Sequence, residues 1–193
     1  MTQNIEKIVL IRHGRSAHVH AGWIDLAGFH RWREAYEAAG VISGEVPPPE
    51  LAALAKNAGA LVASTAPRAI DSARLLAPRR EPLTSPLLRE LDLVPAAVPL
   101  RMPLIGWAFA VGARYLHRAV TSQPRLTPEE SERIAAAARW LGTLARQHGE
   151  VLVVTHHSFR TELAKLLLAE GWQAAEPRRR SSHWSAWSFS RRR

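Results

Sequence analysis

IVLIRHGRSAH, residues 8–18, sets Arg12, His13 and Gly14 directly after a run of apolar, largely β-branched residues. With Ile5 ahead of it, that run reads as a buried strand. In an open α/β sheet, ligands bind outside the carboxyl ends of parallel strands, which is where this tripeptide falls. An imidazole there can attack phosphorus, an adjacent guanidinium can hold phosphate oxygens in a planar fork, and glycine lets backbone N–H groups approach an anion. Ser16 adds a hydroxyl donor within reach. The plainer reading of His13 is a polar loop residue, and other phosphate-handling groups at comparable strand ends would decide between the two.

Two such groups follow. Residues 60–63 read as a second strand running into STAPRAIDSARLL, where Pro67 suits the first turn of a helix packed through Ile70, Ala73 and Leu76. That leaves Arg68 near a helix N-terminus, where an anion is favoured. Residues 151–155 read as a third buried strand entering a helix with Leu163, Leu166 and Leu167 inward and Gly171 as its stop, and His156 and His157 sit at that junction.

The intervening chain supplies helices and one long excursion. Residues 29–39 read as a helix ended by Gly40, with Trp32, Tyr36 and Ala39 on one face as core. Residues 50–57 read as a short helix. Residues 126–149 form the clearest one, with Thr127 and Glu130 as a capping box, Pro128 in the first turn, and Ile134, Ala137, Leu141, Leu144 and Ala145 inward. Residues 78–103 are proline-rich, with a short strand near Leu83 and Glu90 inside LLRELDL. PLIGWAFAVGARYLH is too short to span a bilayer and reads as a buried helix, a lid or an interfacial helix. HWSAWSFS, carrying Trp184, Trp187 and Phe189, reads as an edge strand.

Composition narrows the classes. The 193 residues suit one α/β domain. Zero cysteines exclude disulfides, cysteine catalysis and thiolate metal sites. MTQNIEK has neither the basic nor the apolar region of a secretory signal, which makes the cytoplasm the expected compartment. Six of the nine net positive charges come from Arg178 to Arg180 and Arg191 to Arg193, so the excess reads as a basic C-terminal tail. With no recognition motif present, this argues against nucleic acid as a partner. His18, His20 and His30 cluster in the loop after the first strand, but only Asp25 stands near them as a carboxylate, so no metal is expected.

An RHG tripeptide after the first strand, an S-x-x-x-R-A pattern after the second, a glutamate in a later L-x-E segment and a histidine after a late strand together resemble the histidine phosphatase superfamily, the group related to cofactor-dependent phosphoglycerate mutase. The resemblance runs from about Ile5 to Gly171. It implies a three-layer α/β/α sandwich with a mostly parallel central sheet, and a single domain carrying an inserted excursion or lid around residues 85–125. It also implies that His13 becomes a phosphohistidine, that Arg12, Ser16, Arg68 and His156 bind the phosphate, that Glu90 protonates the leaving group, that His156 counts among the catalytic residues with His13 and Glu90, and that no cofactor takes part. The sequence departs from the family's pattern in three places. Arg15 follows the RHG, Val19 stands where many members have an asparagine, which His18 or His20 would replace, and His157 stands where many have a glycine. Segments that grip phosphoglycerate in the mutases are not evident, which favours a phosphatase.

The substrate expected on this reading is a phosphorylated small molecule or a phosphopeptide, including phosphohistidine on a partner protein. Two other classes stay open: a non-catalytic phosphate-binding module on the same fold, and a peripheral membrane protein touching anionic lipid through Trp107, Phe109 and the basic C-terminus.

Overall fold

A computed structural model describes residues 5–18, 22–92, 94–121, 125–175 and 181–192. His20, Arg178 to Arg180 and Arg193 lie outside the described residues. Strands β1 (Ile5–Arg12), β2 (Ala60–Ser64), β3 (Leu83–Ser85), β4 (Glu150–Thr155), β5 (Gln173–Ala174) and β6 (Ala186–Arg192) form one sheet in the order β3-β2-β4-β1-β6-β5. The first four in that order are parallel, and β6 and β5 are antiparallel additions at one side.

The parallel strands are continuous apolar runs because both faces of the sheet are covered. Side chains alternate between the faces. Ile8, Leu10, Val62, Val151 and Val153 pack against α5 (Pro128–His148) and α6 (His157–Ala169), through Ile134, Ala137, Leu141, Phe159, Leu163 and Leu167. Val9, Ile11, Leu61, Ala63, Leu152 and Val154 pack on the opposite side against α2 (Pro49–Asn57) and α3 (Pro67–Leu76). Three layers result, and the expected capping box of Thr127 and Glu130 opens α5.

Three local expectations are corrected. On α3 the buried face is Arg68, Ala69, Ser72, Ala73 and Leu76, with Ile70 only half-buried, because this face carries polar groups beneath the strand ends as well as apolar ones. Trp184 is not in a strand; it precedes β6 with φ of 59°. Arg191 and Arg192 belong to β6, and Arg191 is bonded to the buried carboxylate of Glu6 rather than lying in a free tail.

α1 (Leu26–Ala38) and α4 (Leu104–Val120) stand together beyond the strand ends, joined by Phe29, Trp107 and Ala110. Asp25, considered above as a ligand, instead caps α1 by accepting from Gly28 N at 2.7 Å. Trp107 is fully buried and donates to the Ile24 carbonyl at 3.0 Å, which removes it from any lipid contact. No helix among the described residues is long and apolar enough to cross a membrane.

Candidate active site

The register brings the carboxyl ends of the parallel strands to one level, with Arg12 opposite Thr155, Ala63 opposite Val154 and Ser64 opposite Ser85. The next residues in each segment are therefore neighbours. Arg68 Nε donates to His13 Nε2 at 3.3 Å, and an Arg68 terminal nitrogen donates to His156 Nδ1 at 3.2 Å. The two imidazole rings meet edge to face, their centres 5.1 Å apart.

Guanidinium only donates hydrogen bonds, so these contacts fix both tautomers. His13 Nδ1 carries the proton and donates to the Gly14 carbonyl at 2.6 Å, which leaves the Nε2 lone pair turned towards Arg68. His156 carries its proton on Nε2 and donates to Ser64 Oγ at 2.9 Å. Burial, reinforced by the charges of Arg68 and Arg12, lowers the His13 pKa to about 3. The same causes, burial first, hold His156 well below the ordinary histidine value.

Arg68 is fully buried yet satisfied. Beyond the two histidines it donates to the Tyr36 carbonyl at 3.0 Å and to Glu37 at 2.8 Å, and it lies 4.3 Å from the Tyr36 ring centre. Gly14 N donates to Ser72 Oγ at 2.9 Å. A Cβ on Gly14 would sit 2.6 Å from the Trp184 ring and 3.0 Å from Glu45, so only glycine allows this approach. Glu45 ties the turn down, accepting from Arg15 N, Arg15 Nε and Trp184 Nε1 at 2.7–3.0 Å.

Glu90 reaches the same region from the segment after β3. Its carboxylate accepts from Phe159 N at 2.8 Å, Leu91 N at 3.0 Å and Ser158 N at 3.3 Å, two of these being free donors at the start of α6. Burial raises its pKa, and those N–H groups and Arg68 oppose the rise without cancelling it. Arg133 of α5 holds the backbone here through the Leu87, Arg89 and Glu90 carbonyls, and Thr155 Oγ1 donates to Leu88 O.

A cleft of about 980 Å³ opens above these groups. Arg12, Glu90, His157 and His183 line its floor, the aromatic rings of Phe29, Trp32 and Tyr36 line one wall, and Arg114, Tyr115 and Arg118 of α4 face it. Of the stripe read as core, Trp32 packs against the cluster of Phe29 and Trp107 and, with Tyr36, also walls the cleft. His13 lies just under the floor, 2 % exposed.

Of the site residues expected from the sequence, His13, Arg68 and His156 are brought into direct contact, and Arg12 and Glu90 border them. Ser16 is not brought in: it is buried, its hydroxyl accepts from His18 N at 3.2 Å, and its backbone bridges to Val41. His18 packs on Trp32 instead of His13. The ring nearest after His156 belongs to His183, 5.7 Å from that of His13 and unforeseen, since nothing in HWSAWSFS sets that histidine apart. Arg160 was also missed. It is fully buried, donates to Ser185 at 2.6 and 2.7 Å, and holds the segment bearing His183 against α6. Its place in the inward stripe Arg160, Leu163, Leu167 was the available signal.

No family model matches this sequence, and no curated protein does. Solved structures match over nearly its whole length. A phosphoglycerate mutase from Bacillus anthracis is 20% identical with a TM-score of 0.58, covering 98% of this chain and 89% of its own. A mycobacterial glucosyl-3-phosphoglycerate phosphatase is 16% identical with a TM-score of 0.57, covering 97% of each chain. A phosphoserine phosphatase from Entamoeba histolytica, solved with phosphoserine, is 15% identical with a TM-score of 0.56, covering 96% of this chain and 94% of its own. The chain shares the fold of these phosphatases and mutases.

Four imidazoles of this chain, those of His13, His156, His157 and His183, have lowered pKa values, which has a consequence for stability. A ring held neutral in the fold but free to protonate in the unfolded chain destabilises the native state wherever the unfolded chain binds more protons. For His13 that window runs from the ordinary 6.5 down to about 3, and His156, His157 and His183 are shifted the same way. Glu90 is shifted upward, holds its proton in the fold above the ordinary carboxyl value of 4.5, and offsets one of them there. Stability is expected to fall as pH drops below the ordinary histidine value, by about 1.4 kcal/mol per pH unit for each net proton. Denaturant midpoints at neutral and mildly acidic pH check this, and a midpoint that does not move contradicts it.

Proposed function

We propose that this protein hydrolyses a phosphate monoester through a phosphohistidine on His13. The observation that carries the reading is the fixed tautomer of His13: a neutral ring with its Nε2 lone pair turned towards Arg68 and its Nδ1 proton tied to the Gly14 carbonyl. A phosphoryl group entering between His13 and Arg68 takes over the guanidinium's hydrogen bonds and frees Nε2 to attack. Small rotations of Arg12 and His183, which line the cleft over His13, open the way.

In the first step Nε2 forms a bond to phosphorus as the ester oxygen leaves with the proton of Glu90. In the second, the Glu90 carboxylate takes a proton from water, whose oxygen attacks the phosphohistidine and releases inorganic phosphate. Arg12 and Arg68 neutralise the equatorial oxygens, the main protein contribution to phosphoryl transfer. His183 supplies a further N–H in place of the family's asparagine, and His156 orients Arg68. With two guanidiniums in place, the chemistry requires neither metal nor cofactor.

The cleft is of the size that encloses a small molecule, which favours a phosphorylated metabolite over a phosphoprotein. The names of the similar structures, with phosphoserine and phosphoglycerates among their ligands or substrates, point the same way.

Screening phosphorylated metabolites and an aryl phosphate with chelator present tests the reading. Phosphate release unaffected by chelator is expected; no release from any monoester, or release that needs a divalent metal, contradicts it. Glu90→Gln separates the acid step. It should slow alkyl phosphates by about 10²–10³-fold and aryl phosphates much less, because a phenolate needs little protonation. Because burial raises the Glu90 pKa, its acid form persists to higher pH than an ordinary carboxyl, and alkyl phosphate turnover should fall as pH rises through that pKa. An equal loss for both substrate classes contradicts the assignment.

A further inference from the structure

α4 is apolar on the side that faces solvent. Ile105, Phe109, Leu116 and Val120 are 64, 73, 65 and 76% exposed, and Ala108, Gly112 and Ala113 lie exposed among them. No charged residue interrupts this face. The arginines of the helix, Arg114 and Arg118, are turned the other way and line the cleft. A contiguous exposed apolar patch of this kind marks a binding surface.

The order of the side chains says what the surface fits. Ile105 and Val120, Phe109 and Leu116, and Gly112 and Ala113 stand symmetrically about the bond between Gly112 and Ala113. In a two-fold dimer, a residue i that contacts j on the second copy is itself matched by j contacting i. An antiparallel pair of α4 helices with its axis at Gly112 and Ala113 meets that condition at every bulky position. Ile105 packs on Val120 of the second copy, Phe109 on its Leu116, and the smallest residues lie where the backbones come closest. Glycine inside a helix is unfavourable, and a Cβ on Gly112 would meet nothing within its own chain, so nothing in the isolated molecule asks for glycine there.

We infer that the outward face of α4 is a homodimer interface of two-fold symmetry. Trp23 and Leu100, 66 and 61% exposed beside the N-terminal end of α4, extend it towards the C-terminal end of the second helix. A stable interface needs about 1,000 Å² in total, and this flank adds to what the helix pair supplies. An anionic lipid surface fits less well, because the outward face of α4 itself offers it no cation, Arg101 lying only on the flank beside Trp23. The interface stands apart from the chemistry at His13. Its consequence for the cleft, that each copy braces the helix carrying Arg114, Tyr115 and Arg118 of the other, rests on the function proposed above.

Sedimentation velocity on the full chain should give a dimer. Phe109→Asp with Leu116→Asp should give a folded monomer, the dissociation constant rising at least about 100-fold. The chain has no cysteine, so Ala113→Cys places its single thiol at the proposed axis, and a short bifunctional thiol reagent should link two copies. Arg139→Cys, at an exposed position on α5, should not be linked. A wild-type monomer at all concentrations overturns the inference. So does a dimer that survives the double substitution, or one linked through position 139 and not 113. A monomer that sediments with phosphatidylserine vesicles, and loses this with Phe109→Ser and Leu116→Ser, also overturns it by assigning the face to lipid.

Discussion

His13→Ala abolishes turnover of every substrate, with kcat/KM falling at least about a thousandfold, while the protein stays folded. The expected loss follows from the ring's position. Two ring lone pairs face the Arg68 guanidinium, those of His13 Nε2 and His156 Nδ1; His13 lies just beneath the cleft floor, whereas His156 is fully buried and tied through its other nitrogen to Ser64. Loss of a nucleophile leaves only binding and electrostatic stabilisation, and removing one member of such a unit costs nearly as much as removing all of it. The fold survives because His13 belongs to neither apolar layer beside the sheet. Its two ring hydrogen bonds, to the Gly14 carbonyl and from Arg68, are worth about 1 kcal/mol each. Steady-state kinetics beside a thermal melt separates the two effects. A variant that keeps wild-type turnover removes His13 from the reaction.

Arg68→Lys should lower kcat/KM on the order of 100-fold and lower the melting temperature less than Arg68→Ala does. Lysine keeps the positive charge near Glu37 but loses the planar fork that joins His13, His156 and the Tyr36 carbonyl from one group. Removing one fixed donor to developing negative charge costs about 10²–10³ in rate. Most of the loss should appear in kcat if Arg68 tightens on the transition state, and in KM if it only holds the ground-state phosphate. Arg68→Ala should cost stability as well, since Glu37 and His156 both lose a buried partner. A lysine variant with full activity places the phosphate elsewhere in the cleft.

What could be read from the sequence was what strand ends determine. Three apolar runs with His13, Arg68 and His156 just beyond them predict a shared level at the edge of a parallel sheet, and the register delivers it. Glu90 was legible only through its resemblance to a family pattern, since its segment has no periodicity of its own. The illegible part came from contacts between segments far apart in the chain. His183 reaches His13 because β6 runs antiparallel beside β1 and returns the C-terminal segment to the strand end. Trp184 fills the space that Gly14 leaves, and Glu45 bonds both Arg15 and Trp184, pairings that no local spacing announces. On α3 the apolar residues alone give the wrong rotation. The helix turns Arg68 and Ser72 inward, because polar side chains that find hydrogen-bond partners can occupy the interior beside the apolar ones. On α1 the reverse holds for Tyr36, which reads as core and walls a cleft, while Trp32 does both, packing on the Phe29 and Trp107 cluster and facing the cleft.

The most direct test of a phosphohistidine mechanism is to trap the intermediate. The purified protein is mixed with phosphate-labelled aryl phosphate, quenched without acid within the first turnovers, digested and analysed by mass. The account predicts one phosphorylated peptide, the one containing His13, whose label is stable in base, is lost in acid, and is absent from His13→Ala. Label on another residue, or rapid turnover with no labelled peptide at any quench time, contradicts it.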